Sequence, residues 1–287
     1  MAEDGHILEC RVRGNLRLEN SRSTNPVAVG DWVELEPVTE TSAVISAVSE
    51  RKNHIVRKSV NLSREFHVLA ANLDYLVVLA TPSNPRTPHG FIDRMLVTAR
   101  AYGIEALLVF NKQDMWTVQD RKTVDDMESV YSSAGYDVYR ISALKVDDIS
   151  PIALKIRGSV SIIAGQSGSG KSTFLKTLRP DLEIRVADLS VAHKQGKHTT
   201  TFAEMHKINQ DTFIIDTPGV REFGLAAMNR QELGHYFPEF YNLSTQCRFA
   251  NCMHLAEPDC AVLKALDTME ISPFRYRSYL GMLEECN

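Results

Sequence analysis

The sequence predicts an α/β protein of three parts, in which a central domain with a parallel sheet lies between a small β unit and a mostly helical tail. Three observations support this prediction. Short β-type runs fill residues 1–68, apolar strands alternate with helices over residues 69–225, and helical pieces surround a cysteine cluster in residues 226–287. Alternating strands and helices indicate a parallel sheet that is covered by helices.

The composition of the 287-residue chain is that of an ordinary globular protein. It is 44% hydrophobic and 24% charged, and its net charge of -4 argues against indiscriminate coating of nucleic acid. Its apolar runs YLVVLA and ALLVF are strand-sized, whereas a membrane span needs roughly 20 residues. The acidic start MAEDGHILE differs from a secretory signal. We therefore expect a cytoplasmic monomer that has no membrane partner.

The N-terminal part carries short β-type runs between clusters of Gly, Asn, Ser and Pro. These runs are ILECRVRG, PVAVGDWVELEPV and SAVISAVSE, and they predict a five-stranded barrel. The alternative is an edge sheet of a larger domain. The segment 51–64, RKNHIVRKSVNLSR, has five positive charges and no acid. It fits either a nucleic-acid-binding face or a solvated linker.

The central part contains five apolar strand candidates, with helix candidates between several of them. The strands are DYLVVLA, EALLVF, YDVYRIS, SVSIIA and DTFIID, and the helices include GFIDRMLVTARAY, TVQDRKTVDDMESVYSSA and ISPIALKIR. In the first of these helices, the periodicity predicts that Asp93, Arg94 and Arg100 face solvent.

A phosphate-binding motif, GQSGSGKST, follows the strand SVSIIA and precedes the helix KSTFLKTL. It fits the pattern G-x-x-x-x-G-K-[ST], in which backbone N–H groups and the start of the helix bind phosphates. Lys171 would reach the β- and γ-phosphates, and the Ser172 hydroxyl would bind Mg²⁺. The predicted binding residues are Gly165, Gln166, Ser167, Gly168, Ser169, Gly170, Lys171, Ser172 and Thr173.

The stretch DTFIIDTPG at 211–219 ends an apolar strand with an acidic residue. Asp216 is well placed there to hold Mg²⁺ through water, and Gly219 would offer its N–H to the γ-phosphate. The motif alone would fit an ordinary turn, but its pairing with a phosphate loop makes the turn interpretation weak.

The stretch VFNKQD predicts the nucleotide base. Asp114, after a parallel strand, would accept the ring N–H and the exocyclic amine of guanine, a pairing that adenine lacks, and such discrimination reaches on the order of 10⁴-fold. Asn111 would tie the loop and the Lys112 stem would cover the base. The predicted guanine-binding residues are Asn111, Lys112, Gln113 and Asp114, together with Ser142 and Ala143 of a supporting loop.

An ATP-hydrolysing transport subunit is the rival interpretation of GQSGSGKST. Such ATPases follow their magnesium-binding Asp with Glu, whereas Asp216 is followed by Thr217. Their LSGGQ signature is absent from the chain. Together with NKQD, these differences favour GTP.

The motif order is NKQD, SALK, GQSGSGKST, GKHTTT and DTPG, which is the usual GTPase cycle opened between DTPG and NKxD. With GQSGSGKST, KHTTT and DTPGVREFGL, the sequence resembles the circularly permuted GTPases that assist small ribosomal subunit maturation, over nearly the whole chain. The resemblance implies an N-terminal OB-fold, a permuted GTPase domain and a C-terminal zinc-binding domain. It also implies the small ribosomal subunit and its rRNA as partners, and the subunit as activator.

The tail contains the cysteine-rich stretch CRFANCMHLAEPDC. Three thiolates and an imidazole suit a closed, structural zinc site, and free thiols are the alternative. The resembled family has the same spacing. The predicted ligands are Cys247, Cys252, His254 and Cys260, and we expect Cys10 and Cys286 to be unligated.

The residue after DTPG is Val220, where hydrolytic GTPases often carry a water-orienting glutamine. Intrinsic hydrolysis should therefore be slow, and a partner would accelerate it by a factor on the order of 10³ to 10⁵. His198 and Arg221 are alternative sources of a polar group. Thr200, with Thr199 as the alternative, is the predicted second Mg²⁺ ligand. The candidate catalytic residues are Lys171, His198, Thr200 and Gly219.

These observations predict a GTP hydrolase that acts as a late assembly factor of the small ribosomal subunit. The alternative is a GTP-dependent RNA-binding scaffold whose hydrolysis is incidental. Because DTPGVREFGL leads directly into the tail, we also hypothesise that γ-phosphate contacts reposition the C-terminal domain.

Overall fold

The computed structural model describes residues 6–14, 16, 25–58, 66–182, 203–217 and 228–286. Over these residues the protein has a six-stranded central sheet, two small β sheets on its N-terminal side and a helical C-terminal unit. No helix in these described ranges is long and apolar enough to cross a membrane.

The N-terminal strands are short and form two sheets. They are β1 (Glu9–Val12), β2 (Val33–Thr39), β3 (Ser42–Val48), β4 (His54–Lys58) and β5 (Phe66–Ala71). In the first sheet, β3 pairs with β1 in parallel and with β2 in antiparallel fashion, while β4 and β5 form an antiparallel pair. A bridge between Val29 and Ala70 connects the segment before β2 to β5.

Part of the basic segment 51–64 is neutralised by ion pairs. Arg51 donates to both carboxylate oxygens of the almost fully buried Asp31, at 2.6 and 2.7 Å. Lys52 pairs with Asp74. Residues 59–64 lie outside the described ranges, so the role of this segment in nucleic-acid binding stays a prediction.

The central sheet contains all five predicted strands and one more. Its strands are β6 (Tyr75–Ala80), β7 (Glu105–Phe110), β8 (Asp137–Arg140), β9 (Val160–Gly165), β10 (Glu204–Lys207) and β11 (Phe213–Asp216). They are ordered β10-β11-β9-β6-β7-β8, and only the edge pairing of β10 with β11 is antiparallel. The five parallel strands therefore end at the same edge of the sheet.

Within the described residues, four helices cover the two faces of this sheet: α1 (His89–Ala101), α2 (Val118–Ser133), α3 (Val146–Lys155) and α4 (Lys171–Leu178). Side chains of a strand alternate between faces. On β6, Leu76 packs in the cluster that contains α1 and α2, whereas Val77 packs with Ile152 of α3 and Phe174 of α4. Both faces of the sheet are buried, as the apolar character of the strands predicts.

The C-terminal unit contains a 3₁₀ turn, Leu233–Tyr236, and the helices α5 (Pro238–Ser244), α6 (Ala261–Asp267) and α7 (Pro273–Glu285). Its core includes Phe237, Phe240 and Tyr279, and Val97 of α1 belongs to the same cluster. Helix α7 packs along α1, so the unit is joined to the central domain by a shared apolar core.

The prediction that Asp93 faces solvent is wrong. Its side chain is fully buried and forms an ion pair with Arg275 of α7. Arg94 is partly covered because it pairs with Glu285, also on α7, while Arg100 is exposed as predicted. The periodicity of α1 distinguishes the face that packs on the sheet, but it does not show that a second helix covers the opposite face.

Candidate functional site

The predicted nucleotide motifs lie in loops that follow the parallel strands. GQSGSGKST follows β9, the Asp of DTPG ends β11, NKQD follows β7 and the Ser-Ala pair follows β8. Because these strands run parallel in one sheet, their loops lie at its carboxyl edge, where open α/β sheets bind ligands.

The phosphate-binding loop requires glycine at three places for different reasons. Gly168 and Gly170 have φ angles of 79° and 102°, which side-chain-bearing residues rarely adopt. A Cβ at Gly165 would lie 2.5 Å from Ser169 Oγ and 2.7 Å from the Leu79 carbonyl oxygen. The loop therefore approaches β6 closely and turns as a phosphate-binding nest does.

Helix α4 begins at Lys171, directly after this loop. Lys171 Nζ donates to the carbonyl oxygens of Gly165 and Gln166, at 2.9 and 3.2 Å, so it lies over the loop. Burial lowers the pKa of Lys171, and the charge of Asp216 opposes this shift. Ser172 and Thr173 occupy the first turn of the helix and are partly exposed.

Asp216 is the last residue of β11 and lies in register with Ile163 of β9, two residues before the loop. Its Oδ1 atom is buried and accepts no hydrogen bond from the described part of the chain. Burial raises the pKa of Asp216, while Lys171 and His206 lower it. A buried carboxylate oxygen without a donor fits a cation, as does the hydroxyl oxygen of Ser172.

Asn111 joins three of the loops. Its Nδ2 donates to the Ser169 carbonyl oxygen at 2.8 Å, and its Oδ1 accepts from the backbone N–H groups of Lys112 and Ala143 at 2.7 and 2.8 Å. A Cβ at Gly170 would lie 2.2 Å from Nδ2. The phosphate loop, NKQD and the Ser-Ala loop are thus held together by one amide group.

A small cavity of about 130 Å³ lies between these loops. It is lined by Asn111, Lys112, Asp114, Met115, Ser142, Ala143, Leu144, Gly170 and Thr173. The Asp114 side chain is exposed, and so is Leu144 on the opposite loop. Gln113 contributes its backbone N–H, which donates to the Ile141 carbonyl oxygen at 2.9 Å. The cavity therefore places the carboxylate of Asp114 among the groups that were predicted to hold guanine.

Two further side chains hold the Ser-Ala loop, and the sequence analysis missed both. Asp148, in the first turn of α3, accepts from the Ser142 backbone N–H at 2.7 Å. Thr177 of α4 donates its hydroxyl to the Ala143 carbonyl oxygen at 2.7 Å. An acid at the start of a helix is a sequence signal for a capping role. Thr177 carries no comparable signal.

The loop 81–88 between β6 and α1 was also missed. The Asn84 carbonyl oxygen accepts from Lys112 Nζ. Pro85 lies beside the phosphate loop, because a Cβ at Gly168 would be 3.5 Å from Pro85 Cδ. The available signal was topological, since β6 is a central strand and the loop after it must reach the same edge of the sheet.

Several predicted residues lie outside the described ranges. They are His198, Thr199, Thr200, Gly219, Val220 and Arg221. Their roles in magnesium binding and hydrolysis therefore stay predictions.

The predicted zinc ligands converge on one point of the C-terminal unit. The ligand atoms of Cys247, Cys252, His254 and Cys260 all lie within 4.8 Å of one another. His254 Nδ1 is 3.3 Å from Cys260 Sγ and 3.7 Å from Cys247 Sγ. Such separations fit four ligands around a tetrahedral zinc, whose bonds are roughly 2.0–2.3 Å long.

The backbone around this cluster is held by helix α7 and by one carboxylate. Tyr276 and Tyr279 donate to the carbonyl oxygens of His254 and Met253, at 2.7 and 2.6 Å. The carboxylate of Glu257 accepts from the backbone N–H groups of Met253, Leu255 and Ala256. The Cys/His cluster is thus preorganised for a metal ion.

The chain matches two family models and shares its fold with solved structures. The models are described as RsgA GTPase, over residues 48–226, and RsgA N-terminal domain, over residues 1–45. The crystal structure of YjeQ from Thermotoga maritima matches with a TM-score of 0.75 at 33% identity, covering 96% of this chain and 88% of that one. YloQ, a circularly permuted GTPase, matches with a TM-score of 0.72 at 27% identity, covering 97% and 85%.

The chain is also similar in sequence to curated relatives over nearly its whole length. The small ribosomal subunit biogenesis GTPase RsgA of Christiangramia forsetii is 46% identical over 286 residues, which cover 99% of this chain and 91% of that protein. The protein of the same name from Bacteroides fragilis is 44% identical over 283 residues, with the same coverage. The predicted circularly permuted GTPase fold is confirmed, and the chain belongs to the RsgA GTPase family.

Proposed function

We propose that this chain hydrolyses GTP as a late assembly factor of the small ribosomal subunit. The observation that carries the proposal is the convergence of three nucleotide motifs on Asn111 at the carboxyl edge of the sheet. Membership of a GTPase family supports the reaction, and the names of the relatives support the ribosomal role.

The base pocket would select guanine through Asp114. Its carboxylate would accept the ring N–H and the exocyclic amine, while the stem of Lys112 covers the base. Asn111 would hold the loops through the hydrogen bonds described above. Ser142 and Ala143 would support the base from β8, in a position fixed by Asp148 and Thr177.

The phosphates would bind along residues 165–173, where backbone N–H groups and the start of α4 face the anion. Lys171 would exchange its two carbonyl contacts for phosphate oxygens. Ser172, Asp216 and Thr200, or Thr199 in its place, would hold Mg²⁺, and Gly219 would contact the γ-phosphate. When bound, Mg²⁺ neutralises the charge that develops on the phosphates.

Slow intrinsic turnover follows from Val220, whose side chain has no group that can orient water. A polar group from His198 or Arg221, ordered by the small subunit, would complete the site. The same proposal assigns residues 1–68 to an RNA-binding OB-fold, 69–225 to the GTPase domain and 226–287 to a structural zinc domain. It places the protein in the cytoplasm as a monomer.

The test is GTP hydrolysis by the purified protein with and without small ribosomal subunits. Large subunits and ATP serve as controls. We expect strong stimulation by small subunits alone, of about 10³-fold or more, and no turnover of ATP. Tight GTP binding without any stimulation would instead favour an RNA-binding scaffold whose hydrolysis is incidental.

A further inference from the structure

A groove of about 750 Å³ lies between α1 and α7, outside the nucleotide site. Its walls include Arg86, His89 and Phe91 on the α1 side, and Phe274 and Arg277 on the α7 side. The volume lies within the roughly 300–1,000 Å³ that is typical of sites for small ligands. None of the roles proposed above uses these side chains.

The rim of the groove has an excess of positive charge. Among the described residues, three arginines line it, and Glu285 is the one acidic residue of the lining. Glu285 already forms a bidentate ion pair with Arg94. Arg86 and Arg277 are exposed, and neither forms an ion pair with any carboxylate of the described ranges. Arg277 Nε donates to the Pro273 carbonyl oxygen at 3.4 Å, which leaves the terminal nitrogens of both guanidinium groups to bind an anion.

Two aromatic side chains that stack on each other line the groove. The rings of His89 and Phe274 stack with centroids 4.2 Å apart and planes inclined by 25°. Burial lowers the pKa of His89, Asp93 raises it, and Arg86 and Arg277 lower it. Both arginines line the same groove as this imidazole, and the lowered pKa favours its neutral form.

Aromatic faces beside arginines are the combination with which proteins bind unpaired nucleotides. The base stacks on the rings, and the guanidinium groups bind the phosphates. An acidic peptide would use the same arginines, but it would leave the aromatic pair without a function. The lining therefore favours single-stranded RNA over a protein partner.

The loop 81–88 connects this groove to the nucleotide site. Arg86 follows Asn84 and Pro85, which contact Lys112 and the phosphate loop. The loop is closed on itself by two hydrogen bonds between Thr81 and Thr87, at 2.9 and 3.0 Å. A ligand that displaces Arg86 would therefore also displace groups that touch the nucleotide motifs.

We propose that the groove between α1 and α7 binds an unpaired nucleotide of the small-subunit RNA, with the base against the exposed part of the stacked His89–Phe274 pair and phosphates on Arg86 and Arg277. Binding there is relayed to the GTP site through the loop 81–88. The relay rests on the function proposed above, whereas RNA binding by the groove does not.

The first experiment measures binding of a fluorescent single-stranded RNA oligonucleotide to the full chain at several salt concentrations. We expect Arg86→Ala/Arg277→Ala to bind about tenfold more weakly. Its slope of log affinity against log salt should fall by about 1.4, which corresponds to two single-strand phosphate contacts. The matched control is Arg121→Ala/Arg157→Ala, which removes two exposed arginines elsewhere and should bind as the unmodified chain does.

The second experiment separates RNA from an acidic protein partner. Phe274→Leu keeps an apolar side chain but removes the stacking face, and it should weaken RNA binding by about tenfold. Polyglutamate is the comparison ligand, and unfolding midpoints verify that each variant is folded. Unchanged RNA affinity in both groove variants would overturn the proposal. So would loss of polyglutamate binding alone, which would identify a protein site.

The relay is tested by turnover. Arg277→Ala should keep its basal GTP hydrolysis but lose most of the stimulation by small subunits, and full stimulation would refute the relay. If small subunits do not stimulate the unmodified chain, the proposed function fails. The oligonucleotide measurements then still decide whether the groove binds RNA.

Discussion

Arg275 and Asp93 form an ion pair of 2.6 Å in which neither side chain has any exposed surface. The guanidinium of Arg275 also donates to Glu239 at 2.7 Å, and Tyr131 donates to Asp93 at 2.8 Å. The ring of Phe237 lies 4.7 Å from the guanidinium carbon. Arg275 of α7 therefore joins α1 through the fully buried Asp93 and α5 through the partly exposed Glu239, and Tyr131 of α2 adds a hydrogen bond to Asp93.

Removal of this arginine should strongly destabilise the protein. Arg275→Ala leaves Asp93 and Glu239 without their cation, and an uncompensated buried charge costs about 3–5 kcal/mol. The measurement is the free energy of unfolding in urea. Arg277→Ala, two residues along the same helix but exposed, is the control and should change it by less than about 0.5 kcal/mol. If Arg275→Ala lowered the free energy of unfolding as little as Arg277→Ala does, the ion pair would contribute nothing to stability.

The contact between α7 and α1 limits how bound GTP could reposition the C-terminal domain. Because α7 is fixed to α1 by a shared core and by Arg275, any movement should leave the amides of α7 equally protected in both nucleotide states. Differences between GDP and a GTP analogue should appear in the rest of the domain. Hydrogen exchange measures this directly, and an identical pattern throughout the domain would refute the repositioning.

Base selection should depend on Asp114. Asp114→Ala removes the acceptor for the two guanine N–H groups, so GTP affinity should fall by about 10²-fold or more and approach the affinity for ATP. Competition between the two nucleotides for a fluorescent GDP measures both affinities. Asp126→Ala removes an exposed carboxylate of α2 and should leave selectivity intact. Retained selectivity in Asp114→Ala would assign base recognition to another group.

The metal cluster predicts a structural zinc ion. Cys260→Ser alters a buried ligand, so the purified variant should contain little zinc and its C-terminal unit should be less stable. Elemental analysis and thermal unfolding measure these effects. Cys10→Ser, an exposed cysteine far along the sequence, should keep both zinc and stability. Full stability of Cys260→Ser after chelation would mean that the four residues hold no structural metal.

Acid should weaken magnesium binding, and the weakening should begin at a higher pH than it would with an aspartate of ordinary pKa. Burial raises the pKa of Asp216, so its neutral form persists to higher pH, and the neutral form cannot bind a cation. Mg²⁺-dependent binding of fluorescent GDP should therefore decline, as the pH falls, well before an ordinary aspartate with a pKa of about 3.9 would be protonated. Asp216→Asn should remove this pH dependence, whereas Asp211→Asn, at an exposed position before β11, should keep it. A decline that survives in Asp216→Asn would show that Asp216 is not the titrating group.

The sequence by itself determined the nucleotide motifs, their permuted order and the metal cluster. These depend on local requirements, since a phosphate loop needs glycines at fixed spacing and a zinc site needs thiolates close together in the chain. The alternation of apolar strands and helices also predicted the parallel sheet. All five predicted strands of the sheet are present, because residues that are buried on both faces leave a continuous apolar run.

Only the tertiary structure decided which groups meet across long separations. The periodicity of α1 placed Asp93 in solvent, and helix α7, 182 residues later, buries it against Arg275. The support of Ala143 by Thr177 and the basic, aromatic groove between α1 and α7 arise in the same way. Such pairings are set by how the helices pack, and packing depends on the shapes of both surfaces rather than on any local pattern of residues.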